Sequence, residues 1–532
     1  MNRVSAQQHI LLLLLFLLSP ALALADCMDC VSAVEELADT CLQIDIEAQA
    51  SLSDGHTPLW LNANRFGLSS LEGSNGYLRA SLLRDMKPYT ADKEKKFDYA
   101  FCADVALTYN HASPLFVQQA YAEARWLRGK LTVGSKQWPM ELKNNRLSSG
   151  SQTLGINARP VPQVRLALDE YWAVPGTKEI LNLKGHLSFG MMTDQNWQHD
   201  FTDKKSKYVD NAFYHSKAGY IKLGADRHPV NFTLGLEMVT VFGGTSHNIE
   251  LGNGPAIVEN ESGIKAFWNA LIPFTDGGEV IEQGTAYRNA AGNIVGSWTA
   301  RLDYNAKKWS ASIYIDHLFE DHSQLTFLGY DGYGVGEEWM TRKASSYFPY
   351  SFKDMLLGLE LRRKGEHWLD ALVFEYIYTK NQSGPIYHDH TITISDHVCG
   401  NDNYYNNYIQ SAYQHWGQVM GNPLYRSPLY NDDGVVDVQN SRFVAYHLGL
   451  SGHPCKNLDY RILATYQDAM GTYDKPYTSY KNSFNLMVEA SYRFPHDWRL
   501  TAAFGMDRGE VHGNNVGGQL TVRKTIYNIR KR

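Results

Sequence analysis

The sequence predicts an all-β protein, a closed antiparallel transmembrane β-barrel of about 18 strands with a short N-terminal helix and helical loop or plug segments. Three observations lead there: a long alternating hairpin near the C-terminus, an export leader, and an aromatic- and glycine-rich composition that lacks long apolar runs after the leader. In the hairpin, Phe484, Leu486, Val488, Ala490, Tyr492 and Phe494 alternate with Asn485, Met487, Glu489, Ser491 and Arg493. After Pro495-His496-Asp497 the pattern resumes with Trp498, Leu500, Ala502, Phe504 and Met506. A period of two is a strand with one apolar and one mostly polar face. Strands of ordinary sandwiches have about 5 to 6 residues, whereas a tilted strand needs about 9 to 11 to cross a bilayer. The stretch 484–494 has the crossing length, with aromatic residues at both edges.

The 532 residues include 33 tyrosines, 12 tryptophans, 21 phenylalanines and 43 glycines. Mean hydropathy is negative, as expected where the lumenal half of every strand stays polar. A net charge of -6 with interspersed signs gives no nucleic-acid signature.

Residues 1–25 read as a signal peptide: Arg3 is the positive start, Ile10 to Leu18 the apolar region, and Ala23-Leu24-Ala25 the cleavage pattern, so that Asp26 begins the mature chain. Asp26 directly before Cys27 speaks against lipidation there. Six cysteines (Cys27, Cys30, Cys41, Cys102, Cys399, Cys455) follow the leader, where oxidation is permitted. Cys27-x-x-Cys30 lacks a strand-helix-strand context, so a local disulfide or free thiols is the expected reading, with pairing unassigned.

Residues 26–43 form the expected periplasmic segment, with Val31, Val34, Leu37 and Cys41 at helical spacing. The barrel is expected over 44–527 and a tail over 528–532. Strand patterns occur at 44–50, 76–86, 97–109, 116–127 and 130–136. From Gln137 to Pro162 the alternation fails and Ser, Asn, Gly and Pro dominate, which predicts a structured loop folded inward, stiffened by Pro160 and Pro162. Strands follow at 163–171, 180–192, 212–224 and 230–242. A long excursion, 243–293, contains a predicted helix over 264–271. Strands at 294–304 and 309–319, the loop 320–352, a hairpin over 353–378 and the longest excursion, 379–441, complete the middle. The strands 442–452, 457–470, the hairpin of 482–507 and 516–527 close the chain. Tight turns at 305–307, 364–366, 453–456 and 495–497 alternate with long loops, the outer-membrane asymmetry that places the long loops outside the cell.

The chain resembles the capsule assembly Wzi family of Gram-negative outer-membrane proteins. The resemblance covers about Ile44 to Tyr527. It rests on Pro58-Leu-Trp-Leu-Asn-Ala-Asn-Arg-Phe-Gly67 followed by Gly76-Tyr-Leu-Arg-Ala80, on Ser148-Ser-Gly150 with Asn157-Ala-Arg-Pro-Val-Pro162, and on Trp416-Gly417 with Gly421-Asn-Pro-Leu424. It implies an 18-stranded barrel with an N-terminal helical element, acting as a surface lectin that attaches capsular polysaccharide to the cell. The N-terminal helical region here is shorter than in the best-known members. The chain ends in Asn528-Ile-Arg-Lys-Arg532, not in an aromatic residue.

The loop Lys380 to Ser441 is the expected binding surface. It holds seven tyrosines and eight asparagines, and sugar rings suit aromatic platforms beside amides and carboxylates. Tyr404, Tyr405, Asn407, Tyr408, Tyr413 and Trp416 are the candidate polysaccharide contacts. The competing reading is that these aromatics pack a folded loop or plug the lumen. Six aspartates against Lys380 and Arg426 leave Arg426 as the candidate contact for an acidic polymer. His388-x-His390, with His397 and Asp389, is too weak a pattern for a metal, and no metal or cofactor is expected. Arg461, Arg493, Arg499, Arg523, Glu237 and Glu489 are expected in the lumen as a salt-bridged lining. With no Gly-x-Ser-x-Gly and no evident Ser/His/Asp arrangement, no enzymatic activity is expected. The expected protein is a monomeric outer-membrane lectin in contact with membrane lipid and capsular or surface polysaccharide; a solute-conducting porin and a barrel hydrolase are the alternatives.

Overall fold

The computed structural model describes residues 42–91, 93–225, 227–250, 254–272, 292–320, 332–333, 336–343, 353–384 and 402–528. The leader, the expected helix over 29–41 and the histidines at 388, 390 and 397 lie outside the described residues, as do Cys27, Cys30, Cys41 and Cys399. Among the described residues, Cys102 and Cys455 form no disulfide.

Eighteen strands form one sheet with every neighbouring pair antiparallel, and the first strand (Leu42–Asp54) pairs with the last (Asn515–Asn528) to close it. Closure is what hydrocarbon demands, because an unpaired backbone group there costs several kcal/mol. The strand Phe97–Tyr109 shows how sequence sets orientation. Phe97, Tyr99, Val105, Leu107 and Tyr109 are exposed on the outer wall, while Asp98, Ala100, Cys102, Asp104 and Ala106 are buried on the lumenal face. A one-residue slip would turn every carboxylate to lipid.

Both chain ends of the barrel lie at the same rim as the tight connections 127–128, 306–308, 456–457 and 494–497. In the last of these, His496 and Asp497 both take positive φ, 61° and 60°, and the Phe494 amide donates to Trp498 O at 2.9 Å to close the tight turn. Exposed aromatics ring this rim (Phe97, Trp126, Tyr304, Trp309, Trp368, Phe494) and the opposite one (Tyr109, Tyr446, Tyr466, Phe484), as side chains with an apolar body and a polar edge do at membrane interfaces.

The long connections differ from the sequence reading in two places. Residues 472–481, left between the expected strand 457–470 and the hairpin of 482–507, belong largely to an 18-residue strand, Pro476–Arg493, that pairs back to Gly471; it is far longer than a crossing requires, so the hairpin projects beyond the membrane. Within 243–293, strands Thr245–Glu250 and Pro255–Glu259 pair with each other. The helix Ile264–Leu271 forms where expected and packs on the outer wall, Phe267 lying 5.1 Å from Phe213 and from Phe242. Lys217 Nζ donates to the carbonyls of Ala270 and Leu271 at its C-terminus, at 2.7 and 2.8 Å, where helix carbonyls lack partners.

Candidate functional site

The lumen is filled from the loop side by three segments: 55–73, 136–162 and 402–442. The first turns inward at Pro58, whose fixed φ suits the start of a helical turn; Trp60 then donates to Thr465 Oγ1 at 3.1 Å and the Leu59 amide to Asp507 Oδ2 at 3.0 Å, both on lumenal strand faces. The second is tied to wall carboxylates. Lys143 Nζ reaches Asp316 Oδ2 at 2.5 Å, Ser148 Oγ and the Ser149 amide donate to Glu375 at 2.6 and 2.8 Å, and the Gln152 amide donates to Asp316 at 2.9 Å. The third lies on the second: Tyr413 Oη donates to Thr153 O at 2.8 Å and Asn422 Nδ2 to Ser149 Oγ at 3.1 Å.

The stretches quoted for the family resemblance meet here. Asn64 Nδ2 donates to Ser149 O at 2.9 Å, the Asn64 amide to Asn157 Oδ1 at 3.0 Å, and Asn157 Nδ2 to Val419 O at 2.9 Å. Glycine is required at one crossing, because a Cβ on Gly155 would stand 2.6 Å from the carbonyl oxygens of Met420 and Gly421. Their shared role is to knit the plug.

The candidate contacts divide. Tyr404, Tyr405 and Tyr413 have 0, 0 and 1% of their surface exposed, so they offer no face to a polymer; this corrects the expected sugar platform. Tyr405 packs 4.1 Å from Tyr425 and 5.2 Å from Tyr413, its amide donates to Glu320 and its hydroxyl to Gln152 O. A loop crossing the lumen needs an apolar centre, and these rings supply it. Arg426 braces the loop, donating from Nε to Val511 O at 3.1 Å and from Nη1 to Asn431 Oδ1 at 2.5 Å. Trp416 is half-buried, edge-on to Phe116 at 5.4 Å. Asn407 Oδ1 accepts the amides of Ile409 and Gln410 at 3.0 and 2.9 Å, a local turn cap. Tyr408 alone of the tyrosine set is exposed, at 55%, its hydroxyl donating to Glu250 O.

Arg461 pairs with Glu489 at 2.7 Å, Arg493 with Asp459 at 3.0 Å and Arg523 with Asp45 at 2.7 Å; Glu237 accepts from Tyr220 Oη at 2.7 Å. These form the expected lining. Arg499 is exposed near the short-turn rim.

The projecting hairpin supplies a surface that the sequence reading missed. Tyr473 and Tyr480 are exposed. Arg442 lies 4.1 Å over the Tyr473 ring, Lys481 4.3 Å over Tyr477 and Lys380 5.5 Å over Tyr480. The spacing Tyr473, Tyr477, Tyr480 beside Lys475 and Lys481 was the available signal. Aromatic faces next to cations offer stacking and charge together.

Closed strand edges, an apolar outer belt with aromatic rims and a polar lumen define an integral β-barrel of the bacterial outer membrane. No family model matches the chain, and no curated protein matches it by sequence. Among solved structures it is similar to Wzi of Escherichia coli, described as an outer-membrane protein involved in group 1 capsule assembly and a carbohydrate-binding β-barrel, at TM-score 0.52 and 11% identity over 93% of this chain and 86% of that one. Pseudomonas aeruginosa OccK2 aligns at TM-score 0.43 and 7% identity, covering 91% of this chain and 97% of that one. At 11% identity the likeness to Wzi shows the fold alone.

Proposed function

We propose that the protein is a non-catalytic lectin that binds capsular or other surface polysaccharide on the extracellular side and helps assemble or anchor that coat. The observation that carries this reading is the pairing of a filled lumen with a projecting hairpin of exposed, cation-flanked tyrosines. Loops tied to wall carboxylates suit a rigid holder better than a solute path, and stacking rings suit sugar faces. The carbohydrate binding in the Wzi description supports the same reading.

Binding of the detergent-solubilised protein to its host's surface polysaccharide tests it. Tyr473→Ala and Tyr480→Ala are each expected to weaken binding about fivefold, corresponding to about 1 kcal/mol per stacked ring, with thermal stability unchanged. Wild-type protein that binds no polysaccharide, or binding indifferent to both substitutions, would refute the hairpin surface.

A further inference from the structure

A cavity of about 340 Å³ lies between the plug and the lumenal faces of the strands Gly129–Ser135, Gln163–Ala173, Leu181–Met191 and Phe213–Leu223. That volume is within the range of small-ligand sites, about 300–1,000 Å³. Lys130 and Lys184 lie close to the short-turn ends of their strands, and plug residues such as Leu154, Arg159 and Met420 cover the loop side. Gln163 and Tyr214, at the loop-side ends of theirs, complete the wall, so the cavity runs along the lumenal face beneath the plug.

Five basic side chains line it, Lys130, Lys136, Arg159, Arg165 and Lys184, against the acids Glu141 and Asp169. Glu123, behind Lys130 and Lys136, is a third acid, 3.4 and 2.7 Å from them. Lys184 is held by Glu141 at 2.6 Å, and Lys130 pairs with Asp169. Both lining acids are thus bonded to lysines, and they act on Arg165 only at longer range. Arg165 is 9% exposed and, among the described residues, makes no hydrogen bond or ion pair; it stacks 3.8 Å from the Trp138 ring. Arg159, 6% exposed, is held by other partners: it donates to Gly67 O at 3.3 Å and lies 3.4 Å from the Phe116 ring and 4.9 Å from the Trp416 ring. Burying charge without a bonded partner is costly, so an anion here would gain the Arg165 guanidinium.

The neutral lining is equally specific. Trp138 Nε1, a donor, and Gln163 Oε1, an acceptor, have no partner among the described residues. A ligand with one carboxylate and several hydroxyls matches this set, the carboxylate on the Arg165 guanidinium and ring hydroxyls on Gln163 and Trp138.

We infer that this lumenal cavity is a binding site for a single acidic sugar residue, a uronate. The inference rests on the polysaccharide-binding reading and adds a second, lumenal contact of defined charge. Ligand-observed NMR on the full-length protein in detergent tests it with methyl glucuronide, methyl glucoside and inorganic phosphate as probes. Methyl glucuronide is expected to bind saturably and the glucoside not to bind at the same concentrations. Arg165→Gln should weaken the glucuronide at least tenfold, and Tyr480→Ala should leave it unchanged. Gln163→Leu should weaken it severalfold, and serves if Arg165→Gln fails to give heat-modifiable protein. Equal binding of glucoside, tighter binding of phosphate, or an undiminished glucuronide signal in the folded variants would overturn the site. Polymer binding that persists without any glucuronide binding would refute the lumenal site alone, whereas glucuronide binding without polymer binding would refute the surface lectin alone.

Discussion

Lys143→Met is expected to destabilise the folded barrel by about 3–5 kcal/mol, the cost of removing one partner of a buried ion pair. The Lys143 and Asp316 side chains are 3 and 0% exposed, so solvent does not replace the lost charge, and among the described residues Asp316 has no second ion pair. Asp316 also shares Ser151 with Glu237, at 3.3 and 3.4 Å from its hydroxyl, and the ammonium group is what lets two carboxylates approach one hydroxyl. Adding Asp316→Asn should recover much of the loss, because the uncompensated charge, not the missing contact, is the larger cost. Urea unfolding in detergent micelles measures both. A shift below about 1 kcal/mol for Lys143→Met would mean that the pair is solvated and the segment 136–162 loosely seated.

Tyr405→Ala should cost about 3–5 kcal/mol, the range for truncating a buried aromatic ring, and Tyr408→Ala less than about 0.5 kcal/mol, as for exposed positions. The two residues are three apart in one loop and chemically identical, yet 0 and 55% exposed. Loss of the Tyr405 ring also frees Gln152 O and the Asn422 amide, which its hydroxyl engages. The heat-modification midpoint on gels is expected to fall for Tyr405→Ala and stay for Tyr408→Ala. Equal behaviour of the two would contradict the division of this loop into core and surface.

The barrel was legible because a two-sided wall imposes its own period: once Phe97, Val105 and Leu107 must meet lipid, Asp98 and Asp104 must face inward. The 264–271 helix was legible for the same reason at helical spacing. The plug gave only its composition and the two prolines at 160 and 162. Segments without a regular period are held by contacts such as Ser148 to Glu375 and Asn157 to Val419, between residues more than two hundred positions apart. The tyrosines of 404–413 illustrate the limit most clearly. A ring that stacks on a sugar and a ring that fills a plug are the same residue type, and only the position of Glu320 and Gln152 around Tyr405 decides between them. Arg165 was passed over because one arginine in an alternating strand looks like lining; its lack of a carboxylate partner is visible only in three dimensions.

The reading of the protein as a holder of polysaccharide, not a conduit, depends most directly on the lumen being closed, and single-channel recording of the full-length protein in planar bilayers tests that. With segments 55–73, 136–162 and 402–442 seated as described, insertion should give no discrete, long-lived conductance steps. Stable ohmic steps from wild-type protein would contradict the closed lumen and favour a solute-conducting barrel.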